Sequence, residues 1–196
     1  MRVIAGEFKG RRLEAPTWPG LRPTSDRLRE TLFNVLAPRV AGARVVDGFA
    51  GTGALGIEAL SRGAAHATFI EQDPRALKLI RANLERCGVA EGRYAIIRAD
   101  FHAWRATLAG ADLVLLDPPY DRLSADTAET LAAARRLLRA GGLIALEHAR
   151  RRAAPDRAPG LQRLRMLVSG DSVLSFYGAA PAGEAPPDAA PEDRPT

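Results

Sequence analysis

One cysteine, Cys87, excludes an internal disulfide, and the three histidines, His66, His102 and His148, are too scattered to form a metal-ligand cluster. No metal is expected. No apolar run approaches the length of a membrane span, and the first residues lack the apolar centre of a signal peptide, so a cytoplasmic protein without membrane contact is expected. Lysine is nearly missing: arginine outnumbers it 26 to 2, so the choice of arginine carries little information and only its location does. There is no internal repeat. From Ala179 onward the chain is almost entirely Ala, Pro, Gly and acidic residues, with nothing large enough to anchor it, and residues 179–196 read as a disordered tail. The 196 residues suffice for one domain with a substantial core.

What is present is concentrated in two short motifs. The first is Asp117, Pro118, Pro119 and Tyr120, which follows the apolar stretch Leu113 to Leu116. Proline fixes its own φ and restricts the residue before it, so the paired prolines hold the Asp117 side chain and neighbouring carbonyls in one direction. A rigid acceptor pair beside an aromatic face suits the exocyclic amino group of a flat nucleobase. Asp117 and the Pro118 carbonyl can each accept one N–H while Tyr120 stacks on the ring, which leaves the nitrogen lone pair free to attack an electrophilic methyl. An Asp-Pro turn ending a strand is the plainer reading, and the rest of the chain decides between them.

The second motif follows Val45 and Val46: Asp47, Gly48, Phe49, Ala50, Gly51, Thr52 and Gly53, and then the helical apolar spacing of Leu55, Ile57, Ala59 and Leu60. This is strand, glycine turn, helix, a geometry that brings backbone close to a ligand and offers it unpaired N–H groups. Gly51, Gly53 and Gly56 also satisfy the dinucleotide fingerprint, with Glu71 about 20 residues on, where a ribose-binding acid is expected. By itself the loop admits NAD or S-adenosylmethionine. Asp47 favours the latter, because a carboxylate just before the glycines attracts a cationic amino-acid end where a dinucleotide would need room for pyrophosphate. Asp100, after the apolar stretch Tyr94 to Ile97, is placed to contact an adenine edge.

The periodicity between about residues 43 and 147 alternates between strand and helix. It predicts strands at 44–47, 67–71, 94–98, 112–117 and 142–147, with helices at about 53–62, 74–87, 101–108 and 124–139, the last closed by Gly141 and Gly142. Such alternation implies an α/β fold with a mostly parallel sheet covered by helices on both faces. Leu161 to Val168 and Val173 to Tyr177, separated by a Ser-Gly-Asp-Ser turn, read as an antiparallel hairpin completing a seven-stranded Rossmann-like sheet.

The net charge of +5 is uneven. Residues 1–44 carry nine basic groups against Glu7, Glu14, Asp26 and Glu30, and the remaining 152 residues balance at 19 of each sign. A footprint for a polyanion is therefore expected in the N-terminal segment. Arg2 to Leu13 suggest a small hairpin with a basic tip. A helix follows through Leu36, with Thr24 or Ser25 as N-cap and Leu28, Leu32, Phe33, Val35 and Leu36 facing the sheet.

With these residues in view, the chain resembles the bacterial 16S ribosomal RNA guanine-N2 methyltransferases (RsmD-type). The likeness runs through MRVIAGEFKGRRL, LRPTSDRLRETLFN, DGFAGTGALGIEALSRG, IEQD and DPPY. It implies a class I S-adenosylmethionine-dependent methyltransferase that acts on the N2 amino group of one guanine in 16S rRNA, within an assembling or assembled small subunit, as a monomer. It maps base-holding to Asp117, Pro118, Pro119 and Tyr120, and cofactor contacts to Asp47, Phe49, Gly51, Thr52, Gly53, Glu71, Asp100 and Phe101. RNA contacts are expected from Arg2, Lys9, Arg11, Arg12, Arg22 and Arg27. The division is an RNA-binding extension at 1–40, a methyltransferase domain at 41–178 and the tail, which the family pattern does not require. An adenine-N6 or cytosine-N4 DNA methyltransferase shares the chemistry but normally needs a target-recognition insertion for which this chain has no room. An NAD-dependent oxidoreductase shares the glycine fingerprint. A non-catalytic ribosome-assembly protein on the same fold has no physical need for intact glycines or an intact DPPY, and both are present.

Overall fold

A computed structural model describes residues 1–18, 25–104, 110–119 and 123–180. In chain order the elements are α1 (Asp26–Val40), β1 (Arg44–Asp47), α2 (Ala54–Ser61), β2 (His66–Glu71), α3 (Pro74–Cys87) and β3 (Tyr94–Arg98), then β4 (Ala111–Leu116), α4 (Leu123–Leu137), β5 (Leu138–Ala149), β6 (Arg157–Ala158), β7 (Leu161–Ser169) and β8 (Ser172–Ala179). The strands form one sheet in the order β3-β2-β1-β4-β5-β8-β7-β6. From β3 to β5 every neighbour is parallel, and β8, β7 and β6 add antiparallel strands at one edge. Among the described residues the sheet has eight strands rather than seven, because the two-residue β6 pairs with the start of β7. The order reverses between β1 and β4, so the crevice between them opens where the carboxyl ends of the parallel strands gather.

Local chemistry accounts for the boundaries. Ser25 caps α1 by accepting the Leu28 N–H, and α1 continues past Leu36, through Pro38, to Val40. Asp73 caps α3, Pro74 opens it and Gly88 closes it. The expectation that Gly141 and Gly142 close the last helix fails: α4 ends at Leu137 and β5 starts at Leu138. Leu138 pairs with Ala111, the register shifts, and pairing resumes at Leu143 opposite Leu113. The two glycines build that irregularity. Gly141 has φ +75°, and a Cβ on Gly142 would lie 2.9 Å from the Ala111 carbonyl oxygen. The helix expected at 101–108 is not seen in its described part, where Phe101, His102 and Ala103 form a turn on the Asp100 side chain. At the other end, β8 carries the sheet through Ala179, beyond the boundary read at residue 178.

Two apolar layers cover the sheet. Leu28, Leu32, Phe33 and Leu36 of α1 pack with Val45, Leu113, Leu115, Leu174 and Phe176, while Val35 is only partly buried. On another face Leu131, Ala134 and Leu137 of α4 pack with Val114, Leu116, Ile144 and Tyr177. Cys87 lies buried in a third cluster, where burial pushes its thiol pKa up and makes it unreactive.

The N-terminal segment belongs to this third cluster. Val3, Phe8 and Leu13 are buried against Ile57, Leu60, Phe69, Ile80 and Leu84. Its backbone is fastened by polar side chains of α2: Glu58, fully buried, accepts N–H bonds from Ile4 at 2.8 Å and Ala5 at 3.1 Å and pairs with Arg62 at 2.7 Å. Ser61 takes the Phe8 N–H at 2.9 Å and gives its own hydroxyl to the Ala5 carbonyl. The hairpin tip is therefore not a free basic finger. It is docked on the carboxyl end of α2, because Phe8 within it is worth burying.

Glu58→Ala should remove three bonds to a buried carboxylate and cost about 3 kcal/mol, since two backbone donors and a partly buried guanidinium lose their acceptor together. Urea unfolding measures the loss. Limited proteolysis should cut first within residues 1–15, ahead of any cut in the sheet.

Candidate active site

The carboxyl edge of the sheet collects the candidate residues in a row: Asp100 after β3, Glu71 at the end of β2, Asp47 at the end of β1 and Asp117 after β4. Between Asp47 and α2 lies the glycine loop. Its backbone is tied at many points, with Gly48 N–H to the Leu115 carbonyl at 2.9 Å, Ala50 N–H to Ile70 at 3.1 Å and Gly53 N–H to Ala50 at 2.7 Å. Gly53 stands at the N-cap of α2 with φ 78°, a left-handed conformation that suits glycine, and no side chain caps the helix there.

Two carboxylates hold the loop from beneath. Asp47, 1% exposed, accepts the Gly56 N–H at 2.9 Å. Burial pushes its pKa up to about 7, the Gly56 N–H opposes that, and the charge of Glu71 adds to it. Glu71 accepts the Gly51 N–H at 2.9 Å through one oxygen and the Gln72 and Asp73 N–H groups at 2.8 Å each through the other. It thereby organises the loop as well as standing where a ribose would come. Asn83 completes the frame. Its amide donates to the Thr52 carbonyl at 3.0 Å and the Glu14 carbonyl at 3.2 Å, and its oxygen accepts the Glu14 N–H at 2.7 Å. Sequence reading passed over Asn83. The available signal was a polar residue on the helix stripe that holds Leu79, Ile80, Leu84 and Cys87.

On the far side of the loop, Asp100 accepts N–H bonds from His102 and Ala103. Phe101 is buried and packs against Phe49 at 4.9 Å between ring centroids, and His102 bonds Thr130 of α4 at 2.7 Å. Phe101 thus supports the floor of the site. Asp117 is half-buried, Pro118 is buried and Pro119 is exposed, while Tyr120 lies outside the described residues.

Two of the expected RNA-contacting residues, Lys9 and Arg11, stand away from this edge. Gly6 and Glu7 meet Ser61 at the carboxyl end of α2, and Arg11 donates to the Arg86 carbonyl at the end of α3; both helices end at the amino edge of the sheet. Lys9 and Arg11 therefore stand opposite Asp117. Arg2, Arg12 and Arg27 are exposed nearer the start of α1, with the Arg2 guanidinium 3.8 Å from Asp26, and Arg22 lies outside the described residues. Among the described residues no helix is long and apolar enough to cross a membrane, and no His/Cys/Asp/Glu group could hold a metal.

A half-parallel sheet with an antiparallel terminal hairpin, a glycine loop over a buried Asp, and an acid ending the second strand define a class I S-adenosylmethionine-dependent methyltransferase. The donor set fits that cofactor: the acid under the loop could hold a cationic amine, Glu71 a ribose hydroxyl, and the packed Phe49 and Phe101 rings an adenine face. The comparisons with known proteins decide between this cofactor and NAD. A solved Escherichia coli structure named "Putative methyltransferase yhhF" superposes with a TM-score of 0.78 at 33% identity, over 91% of this chain and 97% of that one. The ribosomal RNA small subunit methyltransferase D of Haemophilus influenzae is 38% identical over 75% of this chain and 78% of its own. Its namesake from Escherichia coli K12 is 46% identical over 62% of this chain and 61% of its own. The family model described as Conserved hypothetical protein 95 matches residues 1–178, and the chain belongs to this family, the RsmD-type methyltransferases.

The Asp47 carboxyl has a definite pH signature. Its folded pKa lies above the ordinary 3.8, so the fold favours the protonated form; that stability is present below pH ~4 and is lost as pH rises through about 7. Asp47→Asn keeps the acceptor for Gly56 and removes the buried charge. Without cofactor in the buffer it should melt close to wild type at pH 4 and several degrees above it at pH 8, up to about 4 kcal/mol at roughly 1.36 per pKa unit. Scanning calorimetry at the two pH values checks this. Cofactor affinity at pH 8 should fall at least tenfold, or about 1.4 kcal/mol.

Proposed function

We propose that this chain methylates the exocyclic N2 amino group of a guanine in small-subunit (16S) ribosomal RNA, within an assembling or assembled subunit. The observation that carries the reading is the position of Asp117 and Pro118. They follow β4, directly across the switch point from the glycine loop that ends β1, so an acceptor base held by them faces a methyl held over that loop. The names of the Haemophilus influenzae and Escherichia coli relatives support small-subunit rRNA as the acceptor.

S-adenosylmethionine supplies a methyl group already activated on a sulfonium sulfur, so the chain's residues are left with alignment and exclusion of water. The buried Asp47 carboxylate attracts a cationic amine. Glu71, anchored by three backbone donors, would offer its one remaining acceptor site, on the oxygen that takes the Gly51 N–H, to a ribose hydroxyl. Asp117 and the Pro118 carbonyl accept the two N–H bonds of the base amine. This withdraws its lone pair from delocalisation into the ring and aims it at the methyl. Asp117 acts as an orienting acceptor, and the surplus proton of the methylated amine passes to water, which reaches the half-buried Asp117. Arg2, Arg12 and Arg27 serve phosphates farther along the strand. The target base is reached in a loop or flipped from its stack.

Asp117→Ala should leave cofactor affinity nearly intact and lower the single-turnover methylation rate by about a hundredfold or more, some 3 kcal/mol of transition-state stabilisation. Asp117→Asn, which still accepts through its carbonyl, should lose less. Mass mapping of methylated guanines in rRNA from cells with and without the gene tests the substrate. Identical maps would reject it.

A further inference from the structure

The charge of residues 45–196 balances only as a sum over unlike parts. From Arg150 to Arg165 six arginines stand against one acid, Asp156, and Asp156 is already paired with Arg163. Three of the six, Arg150, Arg151 and Arg152, follow β5 directly and are exposed.

Topology gives this cluster its meaning. β5 runs parallel to β4 with Leu146 opposite Leu116, so the chain leaves β5 at the same edge at which it leaves β4 toward Asp117. Asp117 stands level with Glu147, three residues before Arg150; at ~3.3 Å per residue and ~4.8 Å between strands the two backbones are about 11 Å apart. The other half of the edge, from Asp47 to Asp100, is taken by the glycine loop and the cofactor residues. A nucleic acid that delivers a base to Asp117 must therefore approach over β4 and β5.

The turn that carries the arginines is pre-organised. The Arg150 N–H donates to the Asp171 carbonyl at 2.7 Å and the Arg152 N–H to Ala149 at 2.9 Å, while the Arg152 carbonyl lies 2.8 Å from Nδ1 of His148. These bonds use backbone, so they fix the turn and leave the exposed Arg150 and Arg151 side chains to solvent. Arg150 and Arg151 form no ion pair with any described residue. Two adjacent unpaired guanidinium groups repel each other, and a bound polyanion relieves that repulsion.

We propose that Arg150 and Arg151 bind phosphates of the RNA strand that carries the acceptor base, and so set the direction from which that base enters beside Asp117. The proposal rests on the RNA substrate argued above. It also reassigns the main electrostatic footprint. Lys9 and Arg11, on the opposite edge, are too far from the crevice to touch nucleotides next to the base, whereas the β5 turn is within one or two nucleotides of it.

The test compares two double variants of the full chain on naked small-subunit rRNA across a salt series. Arg150→Gln with Arg151→Gln should weaken binding about tenfold or more and flatten the log–log salt slope by about 1.4–1.8, the share of two phosphate contacts. The KM for rRNA should rise with kcat, melting temperature and cofactor affinity close to wild type. Lys9→Gln with Arg11→Gln should lose clearly less affinity. Wild-type affinity and slope in the first double variant would overturn the proposal. Equal or larger losses in the second would too, since binding would then follow net charge and not place. Methyl incorporation by the wild type, read in the same assay, reports on the RNA-substrate reading separately, because the binding curves judge the arginines whether or not methyl is transferred.

Discussion

The N–H groups of residues 51 and 56, together with those of 72 and 73, converge on just two carboxylates, Asp47 and Glu71, and the shape of the cofactor side of the site depends on that convergence. A glycine-rich turn has no side chains with which to hold itself. Left to its own entropy it would sample many conformations, at a cost of roughly 1–2 kcal/mol per residue to fix it. Asp47 and Glu71 supply fixed acceptors from the ends of two adjacent parallel strands, so the sheet register sets the loop's position. The same arrangement has a cost: two acids near each other under a dry loop repel, and the more buried of them, Asp47, responds by holding its proton to about pH 7.

The loop is tied a second time from the outside. Asn83 links the Thr52 carbonyl to the backbone at Glu14, and Glu58 and Ser61 of the following helix hold the segment from Ile4 to Phe8. The N-terminal segment is thus part of the frame of the site as well as a carrier of charge. Arg2, Arg11 and Arg12 are exposed, but its apolar residues Val3, Phe8 and Leu13 fix it in the third core cluster. Buried polar groups whose donors and acceptors are matched, as those of Glu58, Ser61 and Asn83 are, favour one geometry.

Residue types with one structural use were legible in the sequence: the glycine loop, the alternation that gave a parallel sheet, Pro74 and Gly88 around α3, and the terminal hairpin. Misreadings came where one residue type has two uses. Gly141 and Gly142 look like a helix stop, yet they make a bulge inside β5, because the close approach of Ala111 in the neighbouring strand is invisible along the chain. Arg2 to Leu13 read as a small hairpin with a basic tip, and that its tip is docked was not legible, because the acceptors that dock it sit more than 50 residues away on α2. Asn83 and Glu58 were missed for the same reason: a lone polar residue on an apolar stripe acquires its role only from a distant backbone.

Charge showed the same limit in another form. A net count over residues 45–196 is zero, but charge acts locally, screened beyond a Debye length of about 8–10 Å, so a chain-wide total says little about what a phosphate meets at one edge. Folding places the acids that hold the glycine loop at the ends of β1 and β2 and the arginines after β5, on opposite halves of one edge. On the proposed reading, the half that would receive a cationic cofactor is negative, the half that would face an anionic strand is positive, and Asp117 follows β4 between the two signs, so charge would sort the two ligands before either made a hydrogen bond.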